Sequence, residues 1–319
     1  MFDLLTRRRL FENSSLLALA STFGTAFSQS VPRSEFGAES TAEEVTEGLD
    51  LSGRTAVVTS CNSGIGYETM RILALRGAHV IGTARSVEKG QEAADSVTGR
   101  VTPVVLELTD FDSIVACGDE IQAMDLPIDM LVLNAGILLR ELQQVRGLEM
   151  QFVVNHLGHF ILGNRLMNRV TEAPEGRVVV VGSTAHRGAP EGGIQFDNLS
   201  GEGWIRGAYG HSKLANGLYS LELSRRLAGT QATSNCVHPG GVRTNILRNV
   251  SPGQSSGGKS PEQGAATQCY VATHPALAGV TGQYFADCNP AAQSDDQTDE
   301  AMAARLWEVS EELTRDYLV

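Results

Sequence analysis

Tyr209 and Lys213 stand four residues apart in "GAYGHSKLANGLYSLEL", which puts both on one face of a helix, about one turn from each other. A free phenol with a pKa of ~10 is a poor base at neutral pH, and a nearby ammonium favours the phenolate. A fall of ~3 units corresponds to ~4 kcal/mol, within reach of Lys213 and a second cation close by. Alone, the pair also describes any exposed helix face. Its neighbours add chemistry. "RVVVVGSTAH" ends a buried strand at Ser183, where a hydroxyl can hydrogen-bond a substrate oxygen. "FVVNHLGHF" places Asn155 inside an apolar helix, where a buried amide needs partners. "LVLNAG" and "CVHPGGVRT" set small residues at strand ends, where backbone can approach a flat ligand. His156 and His159, at i and i+3, mimic metal ligands, but no carboxylate or cysteine accompanies them, so packing or supporting roles are expected and no metal.

"VVTSCNSGIGYE" runs from a strand through a glycine-bearing turn into a helix, the arrangement that presents helix N-terminal N–H groups to a pyrophosphate. Ser60 stands where the tight-turn glycine is expected. A positive φ there would strain a serine by ~1 kcal/mol or more. In "IGTARS" the second strand ends at Ala84 and Arg85 with no acid. An acid would bind a ribose 2′-OH and an arginine a 2′-phosphate, so NADP(H) is expected over NAD(H).

The elements that must position these residues alternate. Strands are predicted at Thr55–Thr59, His79–Thr83, Val101–Leu106, Met130–Leu133, Arg177–Val181, Thr233–Val237 and near Gly282–Phe285. Helices fill the gaps at Gly66–Arg76, Val87–Asp95, Asp110–Met124, Glu149–Val170, Tyr209–Ala228, Pro261–Thr273 and Asp299–Thr314. Such repetition predicts an α/β fold, a parallel sheet of about seven strands with helices on both faces and right-handed crossovers. Arg187–Gly207, Thr244–Ser260 and Asp287–Thr298 break the rhythm as loops. The first two are candidate substrate walls, since ligands sit beyond the carboxyl ends of the strands.

The 319 residues carry a net charge of -12, which argues against a nucleic-acid partner. Cys61, Cys117, Cys236, Cys269 and Cys288 are odd in number and lack a C-x-x-C pair, so free thiols are expected. No apolar run is long enough for a membrane span. Residues 1–28 pair Arg7 and Arg8 ahead of a mildly apolar stretch ending at Ala26-Phe27-Ser28, as in a twin-arginine export signal, although Glu12 departs from it. That predicts a periplasmic or exported protein; an uncleaved arm on a cytoplasmic protein is the alternative. Residues 29–48 read as a flexible linker and 49–319 as a single domain.

"TSCNSGIG", "LNAG", "VVNHLGHF", "GSTAH", "AYGHSKLAN", "VHPGGVRT", "TGQYFADC" and "RLWEVSEEL" occur in this order between Leu49 and Leu313. In combination the chain resembles a short-chain dehydrogenase/reductase, most similar to the retinol-dehydrogenase-like and protochlorophyllide-reductase-like branch. The resemblance implies a Rossmann-type doubly wound sheet and an oxidoreductase that interconverts an alcohol and an aldehyde or ketone by hydride transfer. Tyr209 would be the general acid/base, Lys213 would tune it and hold the nicotinamide ribose, and Ser183 would orient the substrate oxygen. Asn155 would fix a water linking Lys213 to solvent. Ser60, Asn62, Ser63, Gly64, Ile65 and Gly66 would form the pyrophosphate loop. Arg85, Glu107, Leu108, Asn134, Ala135, Gly136, Pro239, Gly240, Val242 and Thr244, with Tyr209 and Lys213, would complete the cofactor site. Leu133, Glu107 and Ser60 depart from the family pattern. A homodimer or homotetramer is implied. Two other activities use parts of this set: a non-catalytic NADP sensor, and a sugar-nucleotide epimerase or dehydratase, which usually carries a larger C-terminal domain than this chain leaves room for.

Overall fold

The computed structural model describes residues 31–204, 207–246 and 258–318. The expected export segment at 1–28 lies outside them, as does 247–257 within the second loop. Short runs buried on both faces make the central strands, and shorter or more exposed ones make the margins. The strands are β1 Thr55–Val58, β2 His79–Ala84, β3 Arg100–Val105, β4 Met130–Leu133, β5 Gln144–Val145, β6 Leu148–Glu149, β7 Arg177–Val181, β8 Thr233–His238, β9 Tyr284–Ala286 and β10 Asn289–Pro290. Every residue of β1, β4 and β7 is buried, as a parallel sheet covered on both sides demands.

Among the described residues eight strands form the main sheet, in the order β10-β9-β8-β7-β4-β1-β2-β3. Seven run parallel, and β10 returns antiparallel to β9. This eighth strand adds to the seven expected: it is two residues long and includes a proline, too short for any periodicity. β5 and β6 form a separate hairpin. The edge strands β3 and β10 contain Pro103 and Pro290. The chain steps outward from β1 to β3 and then returns to place β4 on the other side of β1. That reversal opens a crevice at the carboxyl ends of β1 and β4.

The helices are α1 Ala42–Val45, α2 Gly64–Leu75, α3 Val87–Asp95, α4 Phe111–Ala123, α5 Met150–Phe152, α6 Gly158–Glu172, α7 Ala208–Arg226, α8 Pro261–Thr273 and α9 Glu300–Thr314. A π-helical turn, Val153–Leu157, joins α5 to α6. Side chains of Asp110 and Asp299 accept first-turn N–H groups of α4 and α9, and Ser260 with Gln263 forms a capping box on α8. Such caps satisfy N–H groups that helix geometry leaves free. Two apolar clusters cover the sheet. One includes Phe111, Phe152, Leu166, Leu218 and Trp307; the other includes Met70, Leu73, Tyr270 and Phe285.

Residues 31–48, read from composition as a linker, instead fold onto this body. Ala42 and Val45 are buried, and Phe36 meets the Tyr270 ring edge-on at 5.9 Å. Ser34 donates from Oγ to the Cys288 carbonyl (2.8 Å) and from N to Asn289 Oδ1 (3.0 Å), while Asn289 Nδ2 donates to the Phe36 carbonyl (2.8 Å). Phe36, Ala42 and Val45, spaced without a regular period, hold this strap, a pattern that composition does not reveal.

Candidate active site

A cleft of about 1030 Å³ opens at the carboxyl ends of the strands. Ser60, Asn62, Ser63, Gly64, Ile65, Gly66, Arg85, Glu107, Leu108, Asn134, Ala135, Gly136, Pro239, Gly240, Val242 and Thr244 all line it, together with Ser183, Tyr209 and Lys213. Asn155 lies behind the wall, wholly buried.

The turn after β1 shows why one glycine was replaceable and another is not. Ser60 sits at φ 63° and its N–H donates to Thr83 Oγ1 (3.2 Å). Serine therefore occupies the left-handed region at a cost of ~1 kcal/mol. At Gly66 a Cβ would lie 2.1 Å from the Ser60 carbonyl oxygen and 2.5 Å from Asn134 Nδ2. No side chain fits there. Thr59 ties this turn to β4: its Oγ1 accepts from the N–H groups of Asn134 and Ala135, both at 2.8 Å.

Arg85 is exposed at the cleft and has no hydrogen-bond or ion-pair partner among the described residues. The Glu107 carboxylate turns to Thr109, accepting from its N (3.0 Å) and Oγ1 (2.8 Å).

At the other end, β7 delivers Ser183 and the first turn of α7 delivers Tyr209. A Cβ on Gly210 would fall 2.6 Å from the Gly188 carbonyl carbon; this glycine lets the 3-10 turn Thr184–Gly188 close on α7. Burial pushes the Tyr209 phenol up to about 12, with hydrogen bonding from Ser183 pulling the other way. Burial also lowers Lys213 to about 8, opposed by Cys236. The Lys213 ammonium donates to the Val181 carbonyl (2.9 Å) and stands 5.7 Å from the Tyr209 ring centroid. In the protein alone, desolvation wins over a cation held at that distance; the expected lowering draws on a second cation besides Lys213.

Asn155 occupies the π-helical turn, a distortion frequent at functional sites. Its Oδ1 accepts from Ile137 N (2.8 Å), and its Nδ2 donates to the Ile137 carbonyl (3.0 Å) and to Ser212 Oγ (2.9 Å). A Cβ on Gly136 would lie 3.3 Å from Asn155 Oδ1 and 3.5 Å from Lys213 Nζ, so both groups stand close to this glycine on the side a Cβ would occupy. His156 and His159 point apart, Nε2 of His156 to Ser310 Oγ (2.8 Å) and Nε2 of His159 to Thr59 Oγ1 (3.1 Å). Burial depresses them to about 3 and about 4, so both are neutral at physiological pH. No group of three or more His, Cys, Asp or Glu among the described residues is arranged to hold a metal. All five cysteines are buried and free.

Thr244, Asn245 and Ile246 of the second expected loop line the cleft, and sequence reasoning missed the wall formed by Ile137–Glu141, Gln143, Met150 and Val154. The β5–β6 hairpin supports it, with Arg146 and Gly147 at φ 56° and 77° in a two-residue loop. That Arg-Gly pair between short strands was the available signal.

Residues 54–255 match the family model for short chain dehydrogenase. The chain belongs to the short-chain dehydrogenase family. This dehydrogenase is 38% identical over 300 residues to the chloroplastic short-chain dehydrogenase TIC 32 B of Brassica napus, covering 87% of this chain and 94% of the relative. It is 39% identical over 279 residues to human retinol dehydrogenase 11, covering 83% and 87%. A solved structure of an uncharacterized protein from Mycobacterium paratuberculosis superposes with a TM-score of 0.70 at 33% identity, covering 85% of this chain and 97% of that one. The short-chain dehydrogenase described here is therefore an NAD(P)-dependent enzyme of the retinol-dehydrogenase-like branch. No helix among its described residues is long and apolar enough to cross a membrane.

Proposed function

We propose that this enzyme uses NADP(H) and interconverts an alcohol with an aldehyde or ketone. The observation that carries the reading is one cleft with Ser183, Tyr209 and Lys213 at one end and, at the other, Arg85, which has no partner among the described residues. The residues fit a dinucleotide: the Gly66 cradle has no room for a Cβ, and Arg85 supplies charge where a 2′-phosphate would lie. The nicotinamide, when bound, supplies or accepts the hydride. The chain's own residues manage the proton. Tyr209, with its phenol at about 12, holds its proton at neutral pH and is suited to donate it from Oη to a carbonyl oxygen during reduction. Ser183 orients that oxygen. Lys213, at about 8, is largely charged at pH 7 and favours the phenolate that remains. The Asn155 amide is taken up by Ile137 and Ser212, so its role is to brace the backbone beside Lys213. A non-catalytic sensor has no use for this set.

The experiment is loss of NADPH absorbance with a panel of aldehydes and ketones, alongside NADH. Turnover that survives Tyr209→Phe refutes the mechanism, and an unchanged cofactor preference in Arg85→Ala refutes the NADP assignment. We extend the reading to location: the twin-arginine-like segment directs export of the folded protein, and a mature N-terminus near Gln29 is expected from the native host. An intact Met1 removes that reading.

A further inference from the structure

The buried contacts of His159 fix its protonation state through its neighbours. Thr59 Oγ1 accepts two backbone N–H groups, from Asn134 and Ala135, each at 2.8 Å. A hydroxyl so occupied as acceptor has one proton left to give, and His159 Nε2 lies 3.1 Å away. A neutral imidazole that accepts at Nε2 carries its proton on Nδ1. His159 Nδ1 in turn faces the Asn155 carbonyl at 3.1 Å. The chain of donors therefore runs in one direction, from the backbone of Asn134 and Ala135, through Thr59 and His159, to Asn155. The two ends matter because Asn134 and Ala135 line the cleft, while Asn155 grips Ile137 and Ser212. Ser212 continues the chain by donating to the Tyr209 carbonyl (2.8 Å). His159 itself does not line the cleft and is 1% exposed.

We propose that His159 is a positioning residue that, as the Nδ1–H tautomer, locks the cofactor-facing end of β4 to the π-helical turn bearing Asn155. It touches no reacting atom. Its imidazole spans two segments that no backbone ladder joins, so cofactor affinity and proton-transfer geometry are set together. Removing it leaves the Thr59 hydroxyl proton without an acceptor inside the core and frees that hydroxyl to turn away from Asn134 and Ala135. One buried hydrogen bond lost and one buried group orphaned predict an effect of about tenfold.

The consequence for kcat rests on the function proposed above; the wiring and the cofactor affinity are read separately. In the full chain, NADPH affinity is measured by fluorescence titration, turnover by NADPH oxidation, and melting temperature by calorimetry. His159→Phe and Thr59→Val should each raise the NADPH Kd by about tenfold. The double variant should be no worse than the weaker-binding single one. Thr59→Ser, which keeps the oxygen, should restore affinity. Long-range nitrogen–proton spectra of the histidine-labelled protein should show an Nδ1–H signal that disappears in His159→Phe. A residue that only fills space would lower the melting temperature and leave Kd and kcat untouched, which overturns the proposal. Additive Kd effects or an Nε2–H signal at His159 overturn it as well. If His159→Phe does not fold, Thr59→Val, Thr59→Ser and the wild-type spectrum decide. Wild-type protein that binds no NADPH sinks the cofactor reading instead, and the tautomer still decides the wiring.

Discussion

Gly66→Ala is the sharpest perturbation of the cofactor turn. The added Cβ would stand 2.1 Å from the Ser60 carbonyl oxygen, more than 1 Å inside van der Waals contact by the ~3.5 Å spacing of non-bonded heavy atoms. The clashing atom is main chain, so no rotamer change relieves it; either the Ser60 turn or the first turn of α2 must move by about 1 Å. Overpacking of this kind costs about 1–3 kcal/mol or more. The displacement falls on the groups that would hold a pyrophosphate, so NADPH affinity should drop at least about tenfold, the equivalent of ~1.4 kcal/mol. Gly37→Ala is the control, since nothing lies within 4 Å of its Cβ position and its φ lies outside the left-handed region. Urea unfolding and fluorescence titration of both variants make the assay. Wild-type affinity together with an unchanged urea midpoint in Gly66→Ala would refute the reasoning.

Three further outcomes are expected. Tyr209→Phe should lower kcat by at least ~100-fold, the scale of one general acid, while NADPH affinity changes less than threefold or so; parallel losses in both would place Tyr209 in binding rather than proton transfer. Burial holds His156 near about 3 and His159, His211 and His238 near about 4, against ~6.5 unfolded. Between those values the unfolded chain binds more protons, so stability present above pH ~6.5 is lost as pH falls toward 4; a flat urea midpoint between pH 7 and 4.5 contradicts this. Phe36→Ala should destabilise by about 2 kcal/mol, roughly half the cost of a fully buried phenylalanine, and a midpoint within error of wild type would mean the strap contributes nothing.

The strands β1, β4 and β7 were legible because their sequences are short runs dominated by apolar residues between turn residues, and each lies within a residue or so of its expected bounds. The cleft residues were legible because they sit where strands end. What stayed hidden depends on contacts distant in sequence. The strap pairs Ser34 with Cys288 and Asn289 across some 255 positions, and only the folded β9–β10 turn creates those acceptors. That turn gave no signal, since Asp287 and Cys288 take φ 49° and 59° without a glycine. The depth of the tyrosine was hidden for another reason: spacing on a helix says that Lys213 is near, whereas the balance of desolvation against charge needs the burial of the site and the Val181 carbonyl that holds the ammonium.

The prolines at the two margins of the sheet have a consequence for self-association. Pro103 lies in β3 and Pro290 in β10, so each outermost strand lacks one N–H that an incoming strand would use. Neither border offers an unbroken row of donors for another molecule to extend. Copies of this enzyme should therefore not join rim to rim into a continuous intermolecular ladder, and during folding the same interruptions guard a seven-strand parallel core against the aggregation to which slow parallel pairing exposes it.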